Sequence, residues 1–133
     1  MFIIGGNNMR RREFVDFEIL KGKILTNIEI NEEEDEITFT DSEGVKYLMY
    51  HEQDCCEEVN IEDICGDINN LLNTPIVLAE EVISNGEVED EYCEDYSCTW
   101  TFYKLATIKG YVTIRWYGVS NGYYSETVDL VRL

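Results

Sequence analysis

From Ile24 onward apolar and polar residues alternate with a period of two. Ile24, Thr26, Ile28 and Ile30 share one side, followed by Ile37 and Phe39 and then by Val45, Tyr47 and Met49. This is the pattern of strands with one buried face, and it predicts three of them. Asp41-Ser42-Glu43-Gly44 suits a type I turn with the glycine at positive φ, so the second and third strands should close as a tight hairpin. Upstream, Phe14, Phe17 and Leu20 fall on one helical face ahead of Gly22, which predicts a short helix or turn.

The period then changes. Ile61, Ile64, Ile68, Leu71 and Leu72 follow an i, i+3, i+7 stripe, with Asn60 as an N-cap, Glu62 and Asp63 in the first turn, and Asn73-Thr74-Pro75 as a stop. This predicts a helix over about 61–72. Residues 76–83 read as a buried strand and 85–95 as an acidic loop. The remainder reads as a meander over 98–108, 111–118 and 123–131, with turns at Lys109-Gly110 and Ser120-Asn121-Gly122. The expectation is therefore a single α+β domain over residues 13–133, mainly an antiparallel sheet of six to seven strands with one clear helix packed on it. A flexible arm, residues 1–12, precedes it, with Gly5-Gly6-Asn7-Asn8 as breakers and Arg10-Arg11-Arg12 as a basic patch.

A two-residue turn at Lys109-Gly110 would set Leu105 opposite Ile114 and Tyr103 opposite Trp116 on the core side. The other side then carries Trp100, Phe102, Lys104, Tyr111, Arg115 and Tyr117, with Lys104 across from Arg115. Like charges opposed on a sheet are unfavourable, so an anion is expected beside them. Two sources fit. One is internal, Glu126 or a carboxylate of the acidic loop. The other is a bound ligand such as a nucleotide, stacked on Trp100, Phe102 or Tyr117 and neutralised by Lys104 and Arg115.

Charge changes the picture most. Acids outnumber Lys and Arg 28 to 10, for a net charge of −18, and residues 29–95 carry 23 acids against Lys46 alone. Two runs stand out: Glu32, Glu33, Glu34, Asp35 and Glu36, and the segment with Glu87, Glu89, Asp90, Glu91, Glu94 and Asp95. Solvated loops would account for such runs, but self-repulsion on this scale destabilises the compact state, and a basic partner would relieve it. The same field argues against direct nucleic-acid binding. With 44% hydrophobic residues the chain can still bury a core. No stretch approaches the roughly 20 apolar residues of a membrane span, and residues 1–6 are too short for a secretory signal, so a cytoplasmic protein without membrane contact is expected.

Five cysteines (Cys55, Cys56, Cys65, Cys93, Cys98) form an odd set, and in a reducing compartment free thiols are expected rather than disulfides. His51 with Cys55, Cys56 and Cys65 offers zinc-type ligands, but adjacent cysteines fit one tetrahedral ion poorly, and no metal or other cofactor is assigned. Cys56 with His51 as base lacks a third residue to orient the base and a nameable oxyanion donor. No catalytic residue is assigned, and the chain is not read as an enzyme.

The blocks His-Glu-Gln-Asp-Cys-Cys-Glu (51–57), Ile-Glu-Asp-Ile-Cys-Gly-Asp (61–67), Thr-Trp-Thr-Phe-Tyr-Lys-Leu-Ala-Thr (99–107), Gly-Tyr-Val-Thr-Ile-Arg-Trp-Tyr-Gly (110–118) and Ser-Asn-Gly-Tyr-Tyr-Ser-Glu (120–126) are long and specific. With them the chain resembles, over about residues 20–130, a family of small proteins of unassigned activity carried by phages and prophages. That resemblance implies a viral setting. Joined to the charge, it suggests a stoichiometric inhibitor of a host defence system, such as an anti-CRISPR, that covers a basic nucleic-acid-binding surface of a host protein. The expected contact residues are Glu32, Glu33, Glu34, Asp35, Glu36, Glu57, Glu58, Glu87, Glu89, Asp90, Glu91, Glu94 and Asp95. If residues 32–36 were extended, Glu32, Glu34 and Glu36 would form a row at about 6.8 Å spacing, like phosphates. The rival function is a small-ligand module using Trp100, Phe102, Lys104, Arg115 and Tyr117.

Overall fold

The computed structural model describes residues 13–85, 97–122 and 124–133. The arm 1–12 and most of the acidic loop, including Glu87, Glu89, Asp90, Glu91, Glu94 and Asp95, lie outside the described residues. Nine strands are described: β1 (Glu13–Phe14), β2 (Leu25–Ile30), β3 (Glu36–Asp41), β4 (Lys46–Tyr50), β5 (Glu58–Cys65), β6 (Leu78–Asn85), β7 (Ser97–Thr107), β8 (Gly110–Ser120) and β9 (Asp129–Arg132). They form two antiparallel sheets, in the orders β1-β9-β4-β3-β2 and β5-β8-β7-β6. One cluster of buried side chains fills the space between them, with Phe39, Tyr47 and Met49 from the first sheet against Tyr103, Ile114 and Trp116 from the second. That is a β-sandwich. A smaller cluster, Leu48, Tyr50 and Val131, lies on the opposite face of the five-stranded sheet.

The expected α+β class is corrected. Among the described residues helical structure is confined to two 3-10 segments of 4 residues, Phe17–Leu20 and Ile68–Leu71. The predicted helix over 61–72 is instead β5, a glycine and the second 3-10 segment. A bulge between Ile61 and Asp63 makes the inward-facing residues of β5 read Val59, Ile61, Ile64. One extra residue in a strand turns a spacing of two into a spacing of three, which imitates a helical stripe. Asn60 is consequently a strand residue. The N-cap is Asp67, whose side chain accepts the Asn69 N–H.

The predicted terminal meander is also corrected. β7 and β8 pair as expected, but Thr107 faces Gly110, so the turn residues are Ile108 and Lys109, and Leu105 faces Val112 while Tyr103 faces Ile114. A slip of two residues preserves the faces, so the assignment of core and outer sides survives it. β9 does not join β8. It crosses to the other sheet and lies between β1 and β4, where Leu130 and Val131 are both buried, as suits a central strand. The hairpin of β3 and β4 matches expectation: Asp41 Oδ1 accepts the N–H groups of Glu43 and Val45, and Gly44 sits at φ +83°.

Candidate functional site

The acidic run 32–36 is the connection between β2 and β3, and Asn31 shapes it. The Asn31 Oδ1 accepts the N–H groups of Asp35 and Glu36 at 2.9 and 3.0 Å, and the Asn31 carbonyl accepts that of Glu34 at 3.1 Å. Glu34 takes φ +57°. The segment is therefore a turn, so the evenly spaced row expected for Glu32, Glu34 and Glu36 does not form. The turn is docked on the neighbouring sheet, because the Ile61 N–H of β5 donates to the Glu34 carbonyl at 2.8 Å. Glu32, Glu33, Glu34 and Glu36 are exposed, as are Glu58 and Glu62 on β5. Asp35 is half-buried and bonded to the Asn31 side chain. No ion pair engages any of these acids among the described residues.

Glu57, expected beside Glu58 on the contact surface, is instead buried. Its Oε2 accepts the Asp54 N–H at 2.9 Å and faces His51 Nε2 at 2.8 Å, while Oε1 accepts the Cys55 N–H at 2.8 Å. Burial alone would raise its pKa. The N–H groups of Asp54 and Cys55, then His51 and its own N–H, outweigh burial and hold it at about 2. The other ring nitrogen, His51 Nδ1, faces the Thr127 carbonyl at 2.7 Å. Both nitrogens thus face acceptors, and both are satisfied only when the ring carries two protons. This chain of contacts ties the block 51–57 to the crossing segment that leads into β9.

The aromatic outer face exists, but it is packed. Trp100 lies 4.6 Å from Tyr117 and 6.3 Å from Phe102 between ring centroids, with the Arg115 guanidinium 5.4 Å from the Trp100 ring. The Trp100 indole N–H is buried without a partner among the described residues. Lys104 faces Thr113 and Glu80 rather than Arg115, and Arg115 faces Phe102 and, across β5, Asp63. Arg115 donates through Nε and Nη2 to the two Asp63 oxygens. Arg115 holds the Asp63 carboxyl below its usual range, and Asp63 in turn raises Arg115. The internal source of the expected anion is therefore Asp63, with Glu80 beside Lys104; it is not Glu126. Both partners of the Arg115–Asp63 pair are about two-fifths exposed, so Asp63→Asn should change unfolding free energy by no more than about 1 kcal/mol in urea titrations.

The cysteine expectation is corrected as well. Cys55 and Cys56 are joined to each other, Cys98 is disulfide-bonded, and Cys65 is free and exposed. Cys56 thus holds no thiol for His51 to deprotonate. Among the described residues no group of three or more His, Cys, Asp or Glu converges to hold a metal, and no helix is long and apolar enough to cross a membrane.

Two further clusters had no local sequence signal. Glu126, also buried, accepts from Thr99 Oγ1 at 2.7 Å and from Ser120 Oγ, closing the end of the β7–β8 hairpin. The Tyr103 hydroxyl donates to Glu81 Oε2 at 2.7 Å. Burial, the bond to Glu81 and the charges of Glu81 and Asp129 raise its pKa far above the normal phenol range, so it is a permanent donor. Each cluster is assembled from strands far apart in sequence. The chain belongs to the DUF7448 family, a domain of unknown function, which it matches over residues 18–130. No curated protein and no solved structure shows detectable similarity to it.

Proposed function

We propose that this DUF7448 member is a binding module whose carboxylate-rich turn, Glu32, Glu33, Glu34 and Glu36, with Glu58 and Glu62 on the adjoining strand, covers a basic surface of a partner protein. The observation that supports this is the combination of docking and vacancy. The turn is held to β5 by the Ile61 to Glu34 bond, yet none of its exposed carboxylates is neutralised by a lysine or arginine among the described residues. Charges fixed by a backbone contact lose less conformational entropy on binding than charges on a free tail. A net charge of −18 adds long-range attraction to a cationic partner. The specific form of this reading is a phage protein that occupies the nucleic-acid-binding surface of a host defence protein in the cytoplasm, in the manner of an anti-CRISPR. Its setting comes from the sequence resemblance alone.

The test is capture of partners from infected host cells by the tagged protein, followed by binding titrations at increasing salt. Converting Glu32, Glu33, Glu34 and Glu36 to glutamine should lower affinity for the captured partner by about tenfold or more, and raising salt should weaken the native protein more than the variant. An affinity that ignores both salt and the four substitutions would remove the proposal.

A further inference from the structure

Among the described residues the two sheets end in β1 and β2 on one side and in β5 and β6 on the other. An end strand presents a row of unpaired N–H and C=O groups, and folded proteins ordinarily shorten it, kink it or cover it. Three of these ends are blunted in that way. β1 is 2 residues long. β2 is irregular between Leu25 and Asn27, and the Leu25 carbonyl is taken by the Asn73 N–H at 2.7 Å. β5 carries the bulge between Ile61 and Asp63, and its Ile61 N–H is engaged by Glu34 of the acidic turn.

β6 differs from all three. Its 8 residues pair with β7 in unbroken register from Leu78 to Asn85, and they include no proline, lysine or arginine. No described residue outside β7 makes a backbone hydrogen bond to residues 78–85. Val82 and Ile83 are 41% and 50% exposed, and as neighbours in a strand they point to opposite faces. Val82 lies beside Phe102 on the outer face, and Ile83 lies on the inner one. A strand added here would find a ladder of backbone partners and an apolar side chain on each face.

Charge decides what can be added. Glu80 and Glu81 are exposed, one on each face, in a chain of net charge −18. A second copy of β6 would join two bodies of like charge and crowd the Glu80 and Glu81 of both into one seam. A segment bearing lysine or arginine meets no such penalty and is drawn in by the field. We propose that the open edge of β6 accepts an extended segment of a partner protein, with lysine or arginine next to β-branched residues, as a further strand of the four-stranded sheet. Its cations lie beside Glu80 and Glu81, and its apolar residues cover Val82 and Ile83. The acidic turn docks on β5, at the other end of this sheet, so the two contacts are separate.

The test uses a dye-labelled peptide of two valines beside two lysines, flanked by threonines, titrated against the full chain by fluorescence anisotropy at fixed ionic strength. Two further peptides carry N-methyl groups on the odd or on the even backbone nitrogens. Only alternate N–H groups of an added strand face its neighbour. Saturable binding of the parent peptide is expected, with one methylated peptide weakened by about tenfold or more and the other little changed. Amide exchange should slow in β6 on binding and stay unchanged in β2. Ile83→Asp should weaken binding by about tenfold, although its added negative charge would strengthen a purely electrostatic attachment. The exchange measurement on the native chain decides the matter even if that variant folds poorly. Converting Glu32, Glu33, Glu34 and Glu36 to glutamine should leave the contrast between the methylated peptides intact, which separates this edge from the turn. Equal affinity for all three peptides, equal loss for both methylated ones, unchanged exchange in β6, tighter binding by Ile83→Asp, or no saturable binding overturns the proposal.

Discussion

Gly66→Ala is expected to destabilise the domain by about 2–5 kcal/mol, the sum of a positive-φ penalty and an overpacking penalty. Gly66 lies just after β5 at φ +104°, and a Cβ there would stand 2.4 Å from the Tyr111 carbonyl oxygen and 3.3 Å from the Val112 Cα. Both obstacles are backbone at the start of β8, so no side-chain rotation relieves them. Gly44→Ala is the matched control. Gly44 also has positive φ, at +83°, but nothing lies within 4 Å of its added Cβ, so only about 1–2 kcal/mol should be lost there. Urea titrations of the two variants measure the difference. Equal shifts in midpoint would mean that the close approach of β5 to β8 does not exist in solution.

The second large effect concerns Glu57. Glu57→Ala would leave the N–H groups of Asp54 and Cys55 and the His51 ring without their common acceptor. The loop 51–57 should then lose its order together with its tie to Thr127. Native Glu57 also predicts a pH dependence with a definite sign. Its folded pKa, about 2, lies below the ordinary value of 4.5, so its contribution is complete above pH 4.5. That contribution is lost as pH falls from there through 2. Glu57→Gln should lower the denaturation midpoint at pH 7, and the gap between variant and native protein should narrow steadily below pH 4.5. A gap that stays constant down to pH 2 would show that the carboxylate charge is not what the loop requires.

Much of the strand content was legible because burial on one face imposes a period of two on β3, β7 and β8 whatever their partners. The turn at Asp41 to Gly44 was legible because its chemistry is local: one carboxylate and one glycine suffice. The helix misreading at 61–72 has an equally definite cause. A bulge between Ile61 and Asp63 shifted the inward positions by one residue, and no sequence window distinguishes that shift from a helical stripe. The outer aromatic face was placed correctly, yet its electrostatics were not, since the carboxylate answering Arg115 comes from Asp63 on a strand that had been assigned to the helix. The site acids divide in the same way. Exposure of Glu32, Glu33, Glu34 and Glu36 could be read from an uninterrupted charged run, whereas the burial of Glu57 could not, because what shields it is a histidine and backbone N–H groups gathered by the fold.

By itself, then, the sequence determined where chain segments are extended, which faces of them are apolar, and that the acids crowd into the middle of the chain, for these follow from the order of neighbouring residues. Only the tertiary structure decided that the strands divide into two sheets, that β9 leaves its neighbour β8 to insert between β1 and β4, and that β6 stands at the end of its sheet. Pairing partners and buried polar contacts are chosen by long-range packing, in which every strand of matching period competes for the same place, and that competition leaves no mark on any one stretch of residues.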